Sequence, residues 1–541
     1  MGMRSILPLL ALGAGGLSAI GCAEYSMAGD KSGAEATDAD TGNYGAEDPN
    51  GDSAWDGEDD GDLGSETEND FLRLRPATTD KYVFVANPTR NTLTRVSVPS
   101  LDVITVDVGT NPDVVVTTQD YTRAVTFNTG SDDITVINAN NSEGLPEVEL
   151  EVPVLSNLNH MVVSPDGLWA VVYHDSDIED DGTASGTISY NEISVVNLDT
   201  GAHHPMVVGR NPHQVKFTDD SSLAIVVSDD RLALIDLFAD VPTRSIVEIA
   251  EDLLNAPRAE EVELTPDGAY AFIRQYGQPD IVLVDLATNE WIDSLPVQSN
   301  PTDLDISPDG SKVVIVDRGA QKLFIYPTDN PAGSQAEIID LPETELLGSV
   351  TFAPDSEKAI LFTTAVNIAH YTTWDLTEPD PAKALKTRPL VAPIRDISIT
   401  PTGNSLLVIH KTESGIDSDP GYENKNVISL IDLEDFLDNP LILPAEPTTF
   451  ANSSSGEVGY VIMEGEPQMT VLAYDQLLHW DIALKSMPVH VGVLPDTNYA
   501  YINQEHDLGR LTFFDPVNPL DGTDDVVQTI TGFELNSAIE H

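Results

Sequence analysis

Cysteine is nearly missing from this chain: Cys22 is the only one in 541 residues. No intrachain disulfide can form, and everything beyond the first 22 residues lacks a thiolate for nucleophilic catalysis, for metal ligation or for covalent haem attachment. Basic residues are scarce as well, 26 Lys and Arg against 90 Asp and Glu, for a net charge of −64. A phosphate backbone is repelled by such a surface, so nucleic acid is excluded as an expected partner. After Ile20 no apolar run approaches the ~20 residues that a membrane-spanning helix needs. Helical periodicity is also thin, with "YDQLLHWDIALKS" and "LEDFLDN" as its only candidates, and both suit strand edges or loops equally well. The chain has no phosphate-binding G-x-x-x-x-G-K-[ST] loop, no H-E-x-x-H and no G-x-S-x-G elbow.

What is present begins at the N-terminus. The fifteen apolar or small residues from Ile6 to Ile20 follow Arg4 and lead through Ala19, Ile20 and Gly21 into Cys22. That is the length and flank of a secretory h-region. The stretch resembles the lipobox of bacterial lipoproteins, although that family usually has Leu where Ala19 stands and a small residue where Ile20 stands. The resemblance implies a signal peptide over residues 1–21 and diacylglycerol plus an N-acyl chain on Cys22, enough acyl chains to anchor the protein stably. Ala23 and Glu24 in place of an Asp after the Cys imply the outer membrane of the cell envelope. An ordinary cleaved signal peptide, with Cys22 a bystander, is the plainer reading.

Residues 22–76 read as the lipidated Cys and an acidic tether. Positions 23–70 carry sixteen acidic residues and one Lys, with few aliphatic side chains. Such a composition cannot bury enough apolar surface to offset ordering entropy, so disorder is expected. As a coil it would span on the order of 40 Å. Removing its charge of −15 and the +1 of the leader leaves −50 on the body, so acidity is general. It serves solvation and salt tolerance; divalent-cation binding is the sharper reading.

From residue 77 to 541 a period appears. Turn-forming landmarks end at Asp120, Asp166, Asp220, Asp267, Asp309, Asp355, Thr402, Ser453 and Asp496, spaced by 46, 54, 47, 42, 46, 47, 51 and 43 residues. After each comes an apolar run such as "LWAVVYH" or "KVVIVDR", then one ending near Asp or Asn such as "IVLVDL", then a third strand. Four short β-runs per unit between turn signals mark a propeller blade. The pattern "YVFVANPTRNTLTRVSV" at Tyr82–Val98, the repeated "NP…SPDG" and the "VxxID" strand ends resemble the YVTN family of β-propellers, over nearly all of residues 80–541. Trp374-Asp375 and Trp480-Asp481 lack the Gly-His partner of Trp-Asp repeats, and "SPDGLW" lacks the spacing of a sialidase Asp-box. The fold expected is all-β: a single β-propeller of about ten four-stranded blades, with eight as the fallback. Its first unit lacks an opening strand, which "ELNSAIEH" at the C-terminus is expected to supply, leaving no free ring edge and favouring a monomer.

In such a propeller the loop before each inner strand and the loop between second and third strands open on one face. His160, His213, Arg395 and His490 fall at or just before inner strands, and His174, Arg274, His410 and His506 at ends of second strands. Six of the eleven histidines therefore fall on one expected face, where the longest insertions, from His174 and His410, also rise. Extra loops on one rim suggest a binding face; hydrogen bonding to turns is the bland role for the same histidines. Asp177-x-Glu179-x-Asp181-Gly182 alternates carboxylates as calcium loops do but lacks the closing Glu of an EF-hand. The function expected is a binding or scaffold module for a protein or carbohydrate partner at the cell envelope. The alternative is a periplasmic metal-dependent hydrolase or lactonase-like enzyme using the face histidines.

Overall fold

The computed structural model describes residues 24–26, 76–139, 147–176, 190–250, 252–253, 256–299, 301–342, 345–355, 357–412, 418–516 and 526–533. These form ten antiparallel four-stranded sheets in strict sequence order, which selects ten blades over eight. Blades are numbered here from the N-terminus. A three-residue strand, Glu24–Ser26, lies within the stretch expected as tether and pairs with the inner strand of blade 9, Glu24 opposite Ala451. Of the two helical candidates, the first is chiefly the outer strand Leu478–Ala483 and the second ends in the outer strand Asp438–Leu443. One helical turn, Pro381–Ala384, is the α-helix of the described residues, and no helix there is long and apolar enough to cross a membrane.

Burial within a blade follows strand position. Second strands such as Trp169–Tyr173 and Ser405–His410 are buried throughout, because both of their faces lie between neighbouring blades. That is why they read as continuous apolar runs. Outer strands alternate, as Glu147–Pro153 and Leu478–Ala483 do. Inner strands are half-buried where they border the central channel; all four residues of Gln214–Phe217 are of this kind.

The ring is held by ten apolar clusters among the described residues, each bridging one pair of neighbouring blades. Val114 and Phe127 of blade 2 pack with Met161 and Val172 of blade 3, for example. The tenth cluster joins Val83 and Val96 of blade 1 to Tyr501, Phe513 and Phe533 of blade 10. Burying one such side chain is worth roughly 1.5–3 kcal/mol, so these interfaces dominate the cohesion of the ring. Tyr501 also donates its hydroxyl to the Pro76 carbonyl at 3.2 Å, tying the ends of the propeller together. The inner position of blade 1 is taken by the two-residue strand Ala77–Thr78, paired with Phe84 and Val83. Residues 534–541, expected to open that blade, lie outside the described residues.

The repeated landmark is a turn between inner and second strands. In five blades the hydroxyl of Thr118, Ser164, Thr218, Thr265 or Ser307 donates to the Asp two residues on, at 2.6–2.8 Å. Each Asp also accepts an N–H two residues further along, at 3.0 Å. The next turn nests against it: Gly310 has φ +68°, and a Cβ there would lie 2.6 Å from Pro266 Cγ. Only glycine supplies both the left-handed backbone and the close approach. The landmark is thus a packing device of the rim opposite the expected binding face.

Candidate functional site

On the loop-rich face, the strand that opens each blade is often bulged. Register shifts skip Asp113, Glu260, Thr302, Arg395, Thr448 and Val489 at the starts of six inner strands. A bulge re-aims its extra side chain. At the equivalent place in blade 4 stands His213, whose N–H donates to Val227 O at 3.1 Å. Three of these rim residues reach the start of the next blade: His213 Nε2 lies 2.9 Å from Ala259 O, Thr302 Oγ1 donates to Gly348 O at 2.6 Å, and Arg395 Nη2 donates to Pro447 O at 2.6 Å. They are latches between blades.

The expected face residues are accordingly occupied one by one. His213 Nδ1 faces Asn211 O at 3.1 Å, and burial pulls its pKa down. Arg395 also pairs with Glu446. His410 is buried in blade 8, with Nδ1 2.8 Å from Ala392 O and Nε2 3.0 Å from Ser429 Oγ; burial lowers its pKa to about 4. Arg274 is buried and pairs with Glu260 at 2.6 Å and Glu261 at 2.9 Å. Burial pushes the Glu261 carboxyl up, against the attraction of Arg274. His160 packs edge-on to Tyr173 with ring centroids 5.0 Å apart, and His490 lies tilted against Tyr501 at 5.9 Å. His506 is exposed, and its Nδ1 accepts the Leu508 N–H at 3.1 Å. These residues belong to blades 3, 4, 5, 8 and 10 and form no common cluster: among the described residues no group of three or more His, Cys, Asp or Glu is arranged to hold a metal ion. Cys22 and the calcium candidates Asp177, Glu179 and Asp181 lie outside the described residues.

Around these occupied groups the same face presents a different set on blades 3 to 5. Tyr190 is 46 % exposed and its ring stands edge-on to His174 at 5.3 Å. Its carbonyl accepts the Asn211 N–H at 2.7 Å. Asn211 Nδ2 and Arg210 Nη2 both donate to Asp229, at 3.0 and 3.4 Å, while the Arg210 side chain stays 70 % exposed. His213 then spans from Asn211 to Ala259, and the neighbouring Arg258 accepts the Tyr276 N–H through its carbonyl at 2.9 Å. Tyr276 is 65 % exposed. Gln275 anchors that turn by donating Nε2 to Ile249 O at 3.1 Å. A run of polar contacts and chain neighbours therefore links two exposed tyrosines with the exposed Arg210 and Arg258 along one rim. Sequence reasoning picked out His174, His213 and Arg274 beneath this rim and missed Tyr190, Arg210, Arg258 and Tyr276 upon it. An aromatic in a loop of that face, as in "SYN" and "RQYGQPD", was the available signal.

The chain is thus a ten-bladed β-propeller with a polar, aromatic rim. No protein-family model matches it, and no curated protein does. Its fold is similar to solved structures in part. A dihydro-haem d1 dehydrogenase NirN in complex with DHE shares 14 % identity, covering 78 % of this chain and 77 % of that one, with a TM-score of 0.42. A eukaryotic initiation factor gives 12 % identity, 74 % and 96 % coverage and a TM-score of 0.47. Hydrazine synthase of Kuenenia stuttgartiensis gives 16 %, 59 %, 95 % and 0.35 respectively. At these values the likenesses carry no argument about activity.

Proposed function

We propose that the protein is a binding module of the bacterial cell envelope, anchored in the outer membrane through lipid on Cys22, carried on the acidic stretch after it, and presenting the rim of blades 3 to 5 to a partner. The observation that carries this reading is the pairing of exposed Tyr190 and Tyr276 with exposed Arg210 and Arg258 on a hydrogen-bonded, ring-braced rim. Tyrosine and arginine are the residues that dominate recognition surfaces, because each offers large contact area with a polar tip. The clamped backbone beneath them lowers the ordering cost of binding. Radiolabelled palmitate incorporation, lost on Cys22→Ser, tests the anchor. Passage of solubilised envelope over immobilised protein tests the rim: one defined component is retained by the wild type and lost on Tyr190→Ala/Tyr276→Ala. Retention indifferent to both substitutions would refute the assignment.

A further inference from the structure

Resting on that reading, we propose that the rim of blades 3 to 5 binds an acidic saccharide, its sugar rings against Tyr190 and Tyr276 and its carboxylates on Arg210 and Arg258. Three observations separate this occupant from a protein surface.

First, the large apolar side chains exposed on this stretch of rim, among the described residues, are the two tyrosines; the other exposed large apolar residues of these blades, Leu168, Val207, Phe238, Val241 and Ile292, lie on the landmark turn, on outer strands or in a loop preceding one. The core of a protein interface is more apolar than this. A sugar needs an aromatic face for its C–H groups and polar atoms for its hydroxyls, and Asn211 and the tyrosine hydroxyls supply such atoms.

Second, exposed positive charge stands on this rim. Asp229, Asp230 and Glu260 have side chains 10–13 % exposed and are paired with arginines, while Asp252 is exposed in the loop that leads to Arg258. Arg210 reaches outward at 70 % exposure. A planar guanidinium matches a carboxylate with two parallel hydrogen bonds.

Third, the acidic remainder of the body does not forbid such a ligand. At physiological ionic strength charges beyond about 8 Å are screened. Repulsion therefore weighs on a long polyanion lying across the whole surface, and much less on short acidic units contacting the rim.

The test is titration calorimetry of the full-length protein with a short oligogalacturonate and, separately, with its methyl ester. The acid form binds, and the ester binds at least about tenfold more weakly, as loss of a charge-assisted pair requires. Arg210→Gln and Tyr276→Ala each weaken the acid form by about tenfold or more, while Tyr276→Phe, which keeps the ring, retains binding. Both positions are exposed, so an unchanged thermal melt accompanies the loss. Equal binding of acid and ester would overturn the acidic class. No binding of either, with an envelope protein retained by the same tyrosines, would overturn the saccharide and leave the binding-module reading standing. No binding of any envelope component by the rim would overturn both.

Discussion

His213 of blade 4 lies with Nε2 2.9 Å from the carbonyl oxygen of Ala259, the first residue of the inner strand of blade 5. The bond joins residues 46 positions apart, one blade repeat. Thr302 makes the equivalent bond to Gly348, also 46 positions on. Set against apolar interfaces of about ten buried side chains each, a hydrogen bond worth about 1 kcal/mol net does not supply the cohesion of the ring. It fixes how one inner strand sits on the next.

His213→Leu removes the ring that sits between two rim carbonyls, Asn211 O and Ala259 O, and that in its neutral form donates to one of them. The expected cost is about 1–3 kcal/mol, and that of Thr302→Val about 1 kcal/mol. Urea unfolding monitored by tryptophan fluorescence reads both; stability equal to wild type in His213→Leu would remove the latch from the account.

The buried His410 makes stability depend on pH. Its folded-state pKa of about 4 lies below the ordinary value of 6.5. The neutral ring suits its site, with one nitrogen for the Ala392 carbonyl and the other for the Ser429 hydroxyl. Its contribution is therefore fully present above pH 6.5 and is lost as pH falls from 6.5 towards 4. The whole loss is on the order of 3 kcal/mol. Urea midpoints measured between pH 7 and pH 4 fall less steeply in His410→Gln than in wild type; parallel slopes would contradict the assignment.

Ring closure rests on blade 10 meeting blade 1. Phe533 is 1 % exposed within the closing cluster, and its carbonyl accepts the Thr105 hydroxyl at 3.4 Å. Phe533→Ala is expected to cost about 3–5 kcal/mol. Hydrogen exchange should then quicken in Tyr82–Asn87 of blade 1 before it quickens in Tyr270–Gln275 of blade 5. Uniform quickening around the ring would contradict closure at this seam.

Two glycines with the same backbone separate strain from collision. Gly310 and Gly465 have φ +68° and +66°, but a Cβ on Gly465 meets nothing within 4 Å whereas one on Gly310 meets Pro266. Gly465→Ala is expected to cost about 1 kcal/mol, for the left-handed backbone alone. Gly310→Ala adds the collision, for about 2–4 kcal/mol in all. Thermal melts of the two variants compare them directly.

The blade count was legible because every unit repeats the same needs: a tight turn, closed in five blades by Ser or Thr and Asp, then two largely buried strands. Ala77–Thr78 was not legible as the opening strand of blade 1, since two residues are too few to show alternation. Which loops share one face was legible from loop order; which side chains upon it stay exposed was not. Histidines were selected for their chemistry, and that chemistry is spent inside: His410 is buried against Ser429 and His213 between two carbonyls. Exposure distinguishes Tyr276 from the buried Tyr460 and Tyr501, and its one mark in the sequence is the loop position within "RQYGQPD".

The most direct test of the account is a hydrogen-exchange footprint of the full-length protein with and without a solubilised saccharide fraction of the envelope. Protection is predicted in peptides covering residues 190–191, 208–211 and 275–278. Protection confined to other surfaces, such as the landmark turn at Leu168 or the loop around Val241, or none anywhere, would contradict the placement of recognition on the rim of blades 3 to 5.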